Sequence, residues 1–173
     1  MQSPDHYPNN LQNYYQQPPG NPYQSGPPQP RYSMRGRLIL LAITLFIYLI
    51  ACATPALEFN DPNDAVYYGF RILIIGWLGA LIGQFGWFAN LFLLVSIFLL
   101  LFRRWIGALI SSLLALVIAL QTFMLFSQKV PANEAATRQL DLLSLKVGFY
   151  LWLASMICLG IGALILRNRE RPL

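Results

Sequence analysis

The chain has 173 residues, of which 56% are hydrophobic and only 11% charged. Soluble domains carry about a quarter of their residues as charges, so the composition excludes an ordinary water-soluble enzyme and points to a bilayer. The formal net charge of +5 does not indicate nucleic acid, because the basic residues flank apolar blocks and form no solvated basic patch with interleaved aromatics.

Residues 1–35 are predicted to form a disordered cytoplasmic tail. The first thirty hold eight Pro, six Gln, four Asn and four Tyr, with no aliphatic periodicity. Such a segment buries too little to offset the entropy of ordering. Pro27-Pro28-Gln29-Pro30 fits a PxxP pattern, which binds aromatic grooves as polyproline II but which a Pro-rich segment also produces by chance. Because a long polar stretch precedes the first apolar run at Leu38, that run reads as a retained span and not a cleaved signal.

Residues 36–173 are predicted to be all-α, an integral membrane helical bundle. It has four transmembrane helices at about 38–57, 86–102, 105–126 and 147–166, plus an interfacial or re-entrant segment at about 66–83. A span needs roughly 17–25 apolar residues to cross a hydrocarbon core of about 30 Å. The first span contains Leu49-Ile50-Ala51-Cys52, which has the form of a bacterial lipobox and makes Cys52 a candidate for lipidation. The long leader and the apolar run continuing to Ala56 favour plain small-residue packing there. Cys52 and Cys158 fall at different depths, so no disulfide framework is expected.

The block from Val66 to Phe102 is too long for one simple crossing and barely enough for two. Gly83-Gln84-Phe85-Gly86 marks a break in its middle, since each glycine weakens a helix by about 1 kcal/mol. The positive-inside rule arbitrates. With the N-terminus inside, four crossings put eight Lys and Arg in the cytoplasm against four outside, whereas five crossings give six against six. Four crossings are therefore expected, with both termini cytoplasmic. Tyr67, Tyr68, Phe70, Trp77, Phe85, Trp87 and Phe88 suit headgroup depth, and Arg71 can snorkel to water.

Small residues recur every fourth position at Gly107, Ser111, Ala115 and Ala119, and again at Ala154, Cys158 and Gly162; Gly79 and Gly83 form a further GxxxG. Such rows let helices approach closely. They serve either packing within one bundle or contact with a second copy or a membrane partner. Asn90, near the start of a span, is a candidate helix cap or interhelical hydrogen-bonding group, and Gln84 lies just before it.

Gly76-Trp77-Leu78-Gly79, Gly86-Trp87-Phe88-Ala89-Asn90 and Gly148-Phe149-Tyr150-Leu151-Trp152-Leu153-Ala154-Ser155 resemble phrases of a group of small uncharacterised bacterial multi-pass membrane proteins. Pro55-Ala56-Leu57-Glu58-Phe59 matches the Pro-Ala-Leu-x-Phe phrase their outer loop often carries. The likeness covers residues 36–168 and omits the tail; Leu91 stands where a Pro is usual after the Ala-Asn pair. The resemblance implies a bacterial cytoplasmic membrane and brings no activity.

No Asp, Glu, Lys or His lies in the middle of a span, where coupled transporters usually mark their pathway. Asp61-Pro62-Asn63-Asp64 lacks the ligand spacing of a calcium loop, and His6 sits in the tail away from either cysteine. The expectation is a non-enzymatic membrane protein with no cofactor, no metal and no nucleic-acid partner. It would contact membrane lipids and act by helix association as a structural or accessory component. A small oligomeric channel is the alternative, with the 83–86 break lining a cavity.

Overall fold

The computed structural model describes residues 34–62, 64–131 and 139–170. The PxxP segment, His6, Asn63, Glu134 and Arg138 lie outside them, as does nearly all of the Pro-rich tail. Helix α1 spans Met34–Ala53, so it begins just inside the predicted tail and ends four residues short of the predicted span. Pro55 explains the stop, because it has no N–H to give the carbonyl of Ala51 and disfavours helical Thr54. Thr54 then turns its hydroxyl back, donating to the carbonyls of Ile50 at 2.9 Å and Ala51 at 3.3 Å.

From Pro55 the chain extends instead of remaining helical. Strand β1 (Pro55–Phe59) is the centre of a three-stranded antiparallel sheet, flanked by β2 (Val66–Tyr68) and β5 (Leu142–Leu145). Glu58 stands opposite Val66 on one side and Ser144 on the other. A second ribbon pairs β3 (Val130–Pro131) with β4 (Gln139–Leu140). These strands depart from the all-α expectation, although the chain is mostly helical. Ala56, Leu57 and Phe59 are buried with Leu125, Leu140 and Leu142 in an apolar cluster separate from the helical core.

After β2 comes α2 (Gly69–Ile75), which tightens into a 3-10 helix over Gly76–Ile82. Both its ends are tied to the sheet end of the bundle. Gly69 N–H donates to the Thr54 carbonyl at 3.1 Å, and the Gly83 carbonyl accepts from Gln121 Nε2 at 3.0 Å. The segment thus lies across one end and does not run the bundle's length.

A 3-10 turn (Gly86–Phe88) leads into α3 (Ala89–Leu101); α4 is Trp105–Leu120 with a 3-10 extension Gln121–Ser127, and α5 is Val147–Glu170. Three stretches are long and apolar enough to cross a membrane: Met34–Ala53, Trp105–Ser127 and Val147–Arg169. Gly86–Leu101 falls short of that length. At 1.5 Å per residue it rises about 24 Å, against a hydrocarbon core of about 30 Å. Three of the four predicted spans therefore meet the length.

The helices pack in the order α1, α5, α4, α3, and α1 meets α3 only lightly. Buried serines hold the seams of α4. Ser96 on α3 donates to the Ala108 carbonyl at 2.6 Å, Ser111 to Phe92 at 2.7 Å, and Ser112 to Met156 on α5 at 2.6 Å. Between them lies a core that includes Leu93, Leu100, Ala115, Met156 and Leu159. At the end away from the sheet, Arg37 reaches the Leu101 carbonyl at 3.1 Å and stacks over Trp105 at 5.9 Å. Gly36 lies against Leu166 there, so the start of α1, the α3–α4 turn and the end of α5 share that end.

A candidate ligand cavity beneath the sheet

The sheet end of the bundle is organised around Asn90. As the second residue of α3, it follows a helix start with no side-chain cap. Its Nδ2 donates to the Trp87 carbonyl at 2.9 Å, closing the preceding turn. Its Oδ1 accepts twice, from Tyr48 Oη on α1 at 3.1 Å and from Trp152 Nε1 on α5 at 2.8 Å. Trp87 Nε1 in turn donates to the Leu73 carbonyl on α2 at 2.9 Å. One amide therefore joins α1, α3 and α5, and its neighbour adds α2. Low dielectric strengthens such a network and makes each missing partner costly.

Above these groups lies a cavity of about 810 Å³. Tyr48, Asn90 and Trp152 are on its floor, Ala56, Leu57 and Phe59 of β1 form its roof, and α2 is a side wall. The volume is within the range of about 300–1,000 Å³ usual for small-molecule sites, which are mostly apolar with a few convergent polar groups. The lining here has that character, with aromatic rings from Tyr48, Phe59, Tyr67, Trp87, Phe149 and Trp152.

Two glycines let the cavity's frame close. A Cβ on Gly69 would collide with the Ala51 carbonyl, and one on Gly148 would lie 2.8 Å from the Pro55 carbonyl and 3.0 Å from that of Ala51. The last turn of α1 is thus clasped between α2 and α5 by backbone approach on both sides.

The far end of the α2 wall is locked by glutamines. Gln84 is buried and bonds to Gln128; Gln121 Oε1 accepts from the Phe85 N–H at 3.1 Å while its Nε2 holds the Gly83 carbonyl. Gly83 has a left-handed φ of 79°, and the Gln84 N–H returns to the Gly79 carbonyl at 2.9 Å. That is a Schellman closure of a helix end. Gly79 and Gly83 therefore make a turn and do not form the helix-packing face read from the sequence; around a Cβ on Gly83 there is open space.

The other predicted packing residues lie inside the bundle. Ala115 and Ala119 are fully buried, Ser111 faces α3, and Gly107 meets Leu99 of α3. Gly162 is pressed against Leu40 of α1, and Cys158 Sγ lies 3.8 Å from Thr44 Oγ1. Ala154 on the same helix is half-buried. Cys52 is half-buried in the last turn of α1 and lines the cavity; cleavage for lipidation there would remove α1 up to Ala51.

At the sheet, Glu58 accepts from Ser144 Oγ at 2.6 Å and pairs with Lys146 Nζ at 2.6 Å. Lys146 and Ser144 together hold its carboxyl below the usual carboxylate range. Asp64 pairs with Arg71, whose guanidinium lies 4.4 Å over the Tyr67 ring. Asp141 and Asn60 bond reciprocally, the Asp141 N–H to Asn60 Oδ1 at 2.9 Å. Among the described residues no cluster of His, Cys, Asp and Glu is arranged to hold a metal ion.

Sequence reasoning singled out Asn90 but missed Tyr48 and Trp152. The available signal was an aromatic with a polar edge a turn and a half inside a helix end, a residue type that seeks a hydrogen-bond partner when buried. No protein family, curated protein or solved structure matches the chain.

Proposed function

We propose that this is a bacterial inner-membrane protein that crosses the bilayer four times and works without catalysis, holding an apolar molecule in the cavity beneath its sheet. The cavity of about 810 Å³ with its convergent Tyr48, Asn90 and Trp152 carries the reading. Membrane insertion is supported by the three long apolar helices and by the bulky apolar side chains on their outer faces, such as Phe46, Leu113 and Ile161. Orientation is supported by charge: Arg35, Arg37, Arg103, Arg104, Arg167 and Arg169 gather at the end away from the sheet, which the positive-inside rule makes cytoplasmic. The shorter α3 crosses with local thinning of the bilayer, at a modest cost.

The non-catalytic reading rests on the titratable groups of the sheet end. Glu58, Asp64 and Asp141 are each taken up by Lys146, Arg71 and Asn60 in frame-building contacts. Association through small-residue faces loses its motive, because those faces pack within the chain. A channel loses its motive as well, since the Gly83–Gly86 break finds its hydrogen bonds at Gln121 and Gln128 and needs no pore water.

The test is single-cysteine labelling in intact cells with a membrane-impermeant maleimide, on a background with Cys52 and Cys158 replaced by Ala. Cysteines at Ser144 and Asn60 are expected to label from outside, and one at Arg104 only after permeabilisation. Labelling of positions 104 and 144 from the same side would end the four-crossing proposal.

A further inference from the structure

We propose that the cavity's occupant is a neutral single-chain lipid from the surrounding bilayer, its hydroxyl or carbonyl head on Tyr48 and Asn90 and its chain along the wall made by α2. The inference rests on the membrane reading above and adds the ligand's chemistry.

The floor sets the head. Asn90 lines the cavity and spends one amide hydrogen on the Trp87 carbonyl, leaving a second; Tyr48 donates its only hydrogen to Asn90 and, with the Cys52 thiol against its oxygen, retains one lone pair. A hydroxyl can accept from the first and donate to the second, and a carbonyl can accept. Both are neutral. A charged head would meet no counter-charge at that floor, and burying an unpaired charge is prohibitive. The charged side chain on the lining is Arg71, and Asp64 already holds it while Tyr67 lies beneath its guanidinium.

The wall sets the source. Helix α2 and its 3-10 continuation line the cavity with Ile72, Gly76 and Gly79. On their other side Phe70, Ile74 and Trp77 stand exposed, Ile74 to 66%. A segment apolar on both faces sits in apolar surroundings, so the cavity's nearest reservoir is hydrocarbon and not water.

Depth agrees. Tyr48 lies five residues from the end of α1, about 8 Å along the axis at 1.5 Å per residue. That places the floor below the helix rim, where a neutral head is tolerated and an unpaired charge is not. The volume of about 810 Å³ accommodates one chain with a small head; a partner helix with its side chains is about 10–12 Å across and several turns long, which exceeds it.

The experiment uses the full chain in phosphatidylcholine nanodiscs and two photoactivatable, clickable probes of the same chain: hexadecanol and palmitate at pH 8. Crosslinked peptides are mapped by mass spectrometry. Hexadecanol is expected to label cavity residues such as Leu57, Ile72 and Phe149 saturably, with competition by unlabelled hexadecanol, while palmitate labels only outer faces such as Leu45 and Leu113. Tyr48→Phe should weaken cavity labelling by about three- to tenfold, the worth of one hydrogen bond. Cys52→Phe, which projects a ring into the cavity beside Tyr48, should weaken it further, and unchanged labelling of the outer faces reports that each variant remains folded. Equal cavity labelling by both probes overturns the neutral-head assignment and leaves the ligand-holding function standing. No saturable cavity labelling by either probe overturns both.

Discussion

Tyr48 donates its hydroxyl to Asn90 Oδ1 at 3.1 Å across the seam between α1 and α3, helices that otherwise barely touch. The other seams of the bundle close by small residues and buried serines. This one is bridged by side chains, Tyr48 at the sheet end and Arg37 to the Leu101 carbonyl at the other. The cavity opens on the sheet side of the Tyr48 bridge, with Tyr48 and Asn90 in its lining.

Asn90→Leu should therefore cost more than the loss of a capping residue. It strands the Tyr48 hydroxyl and the Trp152 N–H, and it removes the donor to the Trp87 carbonyl. Each buried group left unmet costs about 1–3 kcal/mol in water-soluble proteins, but hydrogen bonds between membrane helices average nearer 0.6 kcal/mol. A net loss of about 1–3 kcal/mol is expected, read by reversible unfolding in mixed micelles. The double variant with Tyr48→Phe should be less destabilised than the sum of the singles, because both remove the same bond.

Gly148→Val and Gly69→Ala are expected to be severe, since the new carbon meets backbone carbonyls that cannot move independently. Losses above about 3 kcal/mol place them in the class of gross overpacking. Gly83→Ala should cost only about 1 kcal/mol, because the space there is open and the penalty is conformational, a left-handed φ of 79°. Thermal unfolding of the three variants should rank them in that order; a Gly83 variant as damaged as the Gly148 one would contradict the open turn.

The Glu58 carboxyl, held low by Lys146 and Ser144, ties stability to pH with a definite sign. A carboxylate with a lower value in the folded state contributes stability that is present above its unfolded value of about 4.3 and is lost as pH falls through the folded one. The protection of the Lys146 amide, which donates to the Ala56 carbonyl, should accordingly fall on acidification below that point when each rate is referenced to the intrinsic exchange rate at the same pH. In Glu58→Gln that pH dependence should flatten, whereas at neutral pH the wild type should be the better protected.

The helices were legible because their apolar runs are long and uninterrupted, and Asn90 stood out as a lone amide at a helix start. The sheet was not. Ala56, Leu57 and Phe59 continue the apolar run of α1, so composition alone extended the helix to Leu57, and only the stop at Pro55 distinguishes them. Strands of three to five residues such as β1 and β2 carry too little alternation to register. The pairing of β1 with β5 joins residues far apart in sequence, which no local pattern encodes. Gly79 and Gly83 have the spacing of a packing motif, and only the backbone geometry at Gly83 identifies the pair as a turn.

The interior placement of the small residues gives the last expectation. Ala115 is fully buried in the core shared with Met156 and Leu159, whereas Val117, two residues on, is 65% exposed. Ala115→Leu should destabilise the fold by about 1–3 kcal/mol through overpacking. Val117→Ala, on the outer face, should change it by no more than about 0.5 kcal/mol. Energy transfer between donor- and acceptor-labelled copies in liposomes should stay at the random-mixing level for the wild type and for Val117→Ala. An oligomer in the wild type that Ala115→Leu dissociates without unfolding the chain would put the α4 row in an intermolecular interface and overturn the internal assignment.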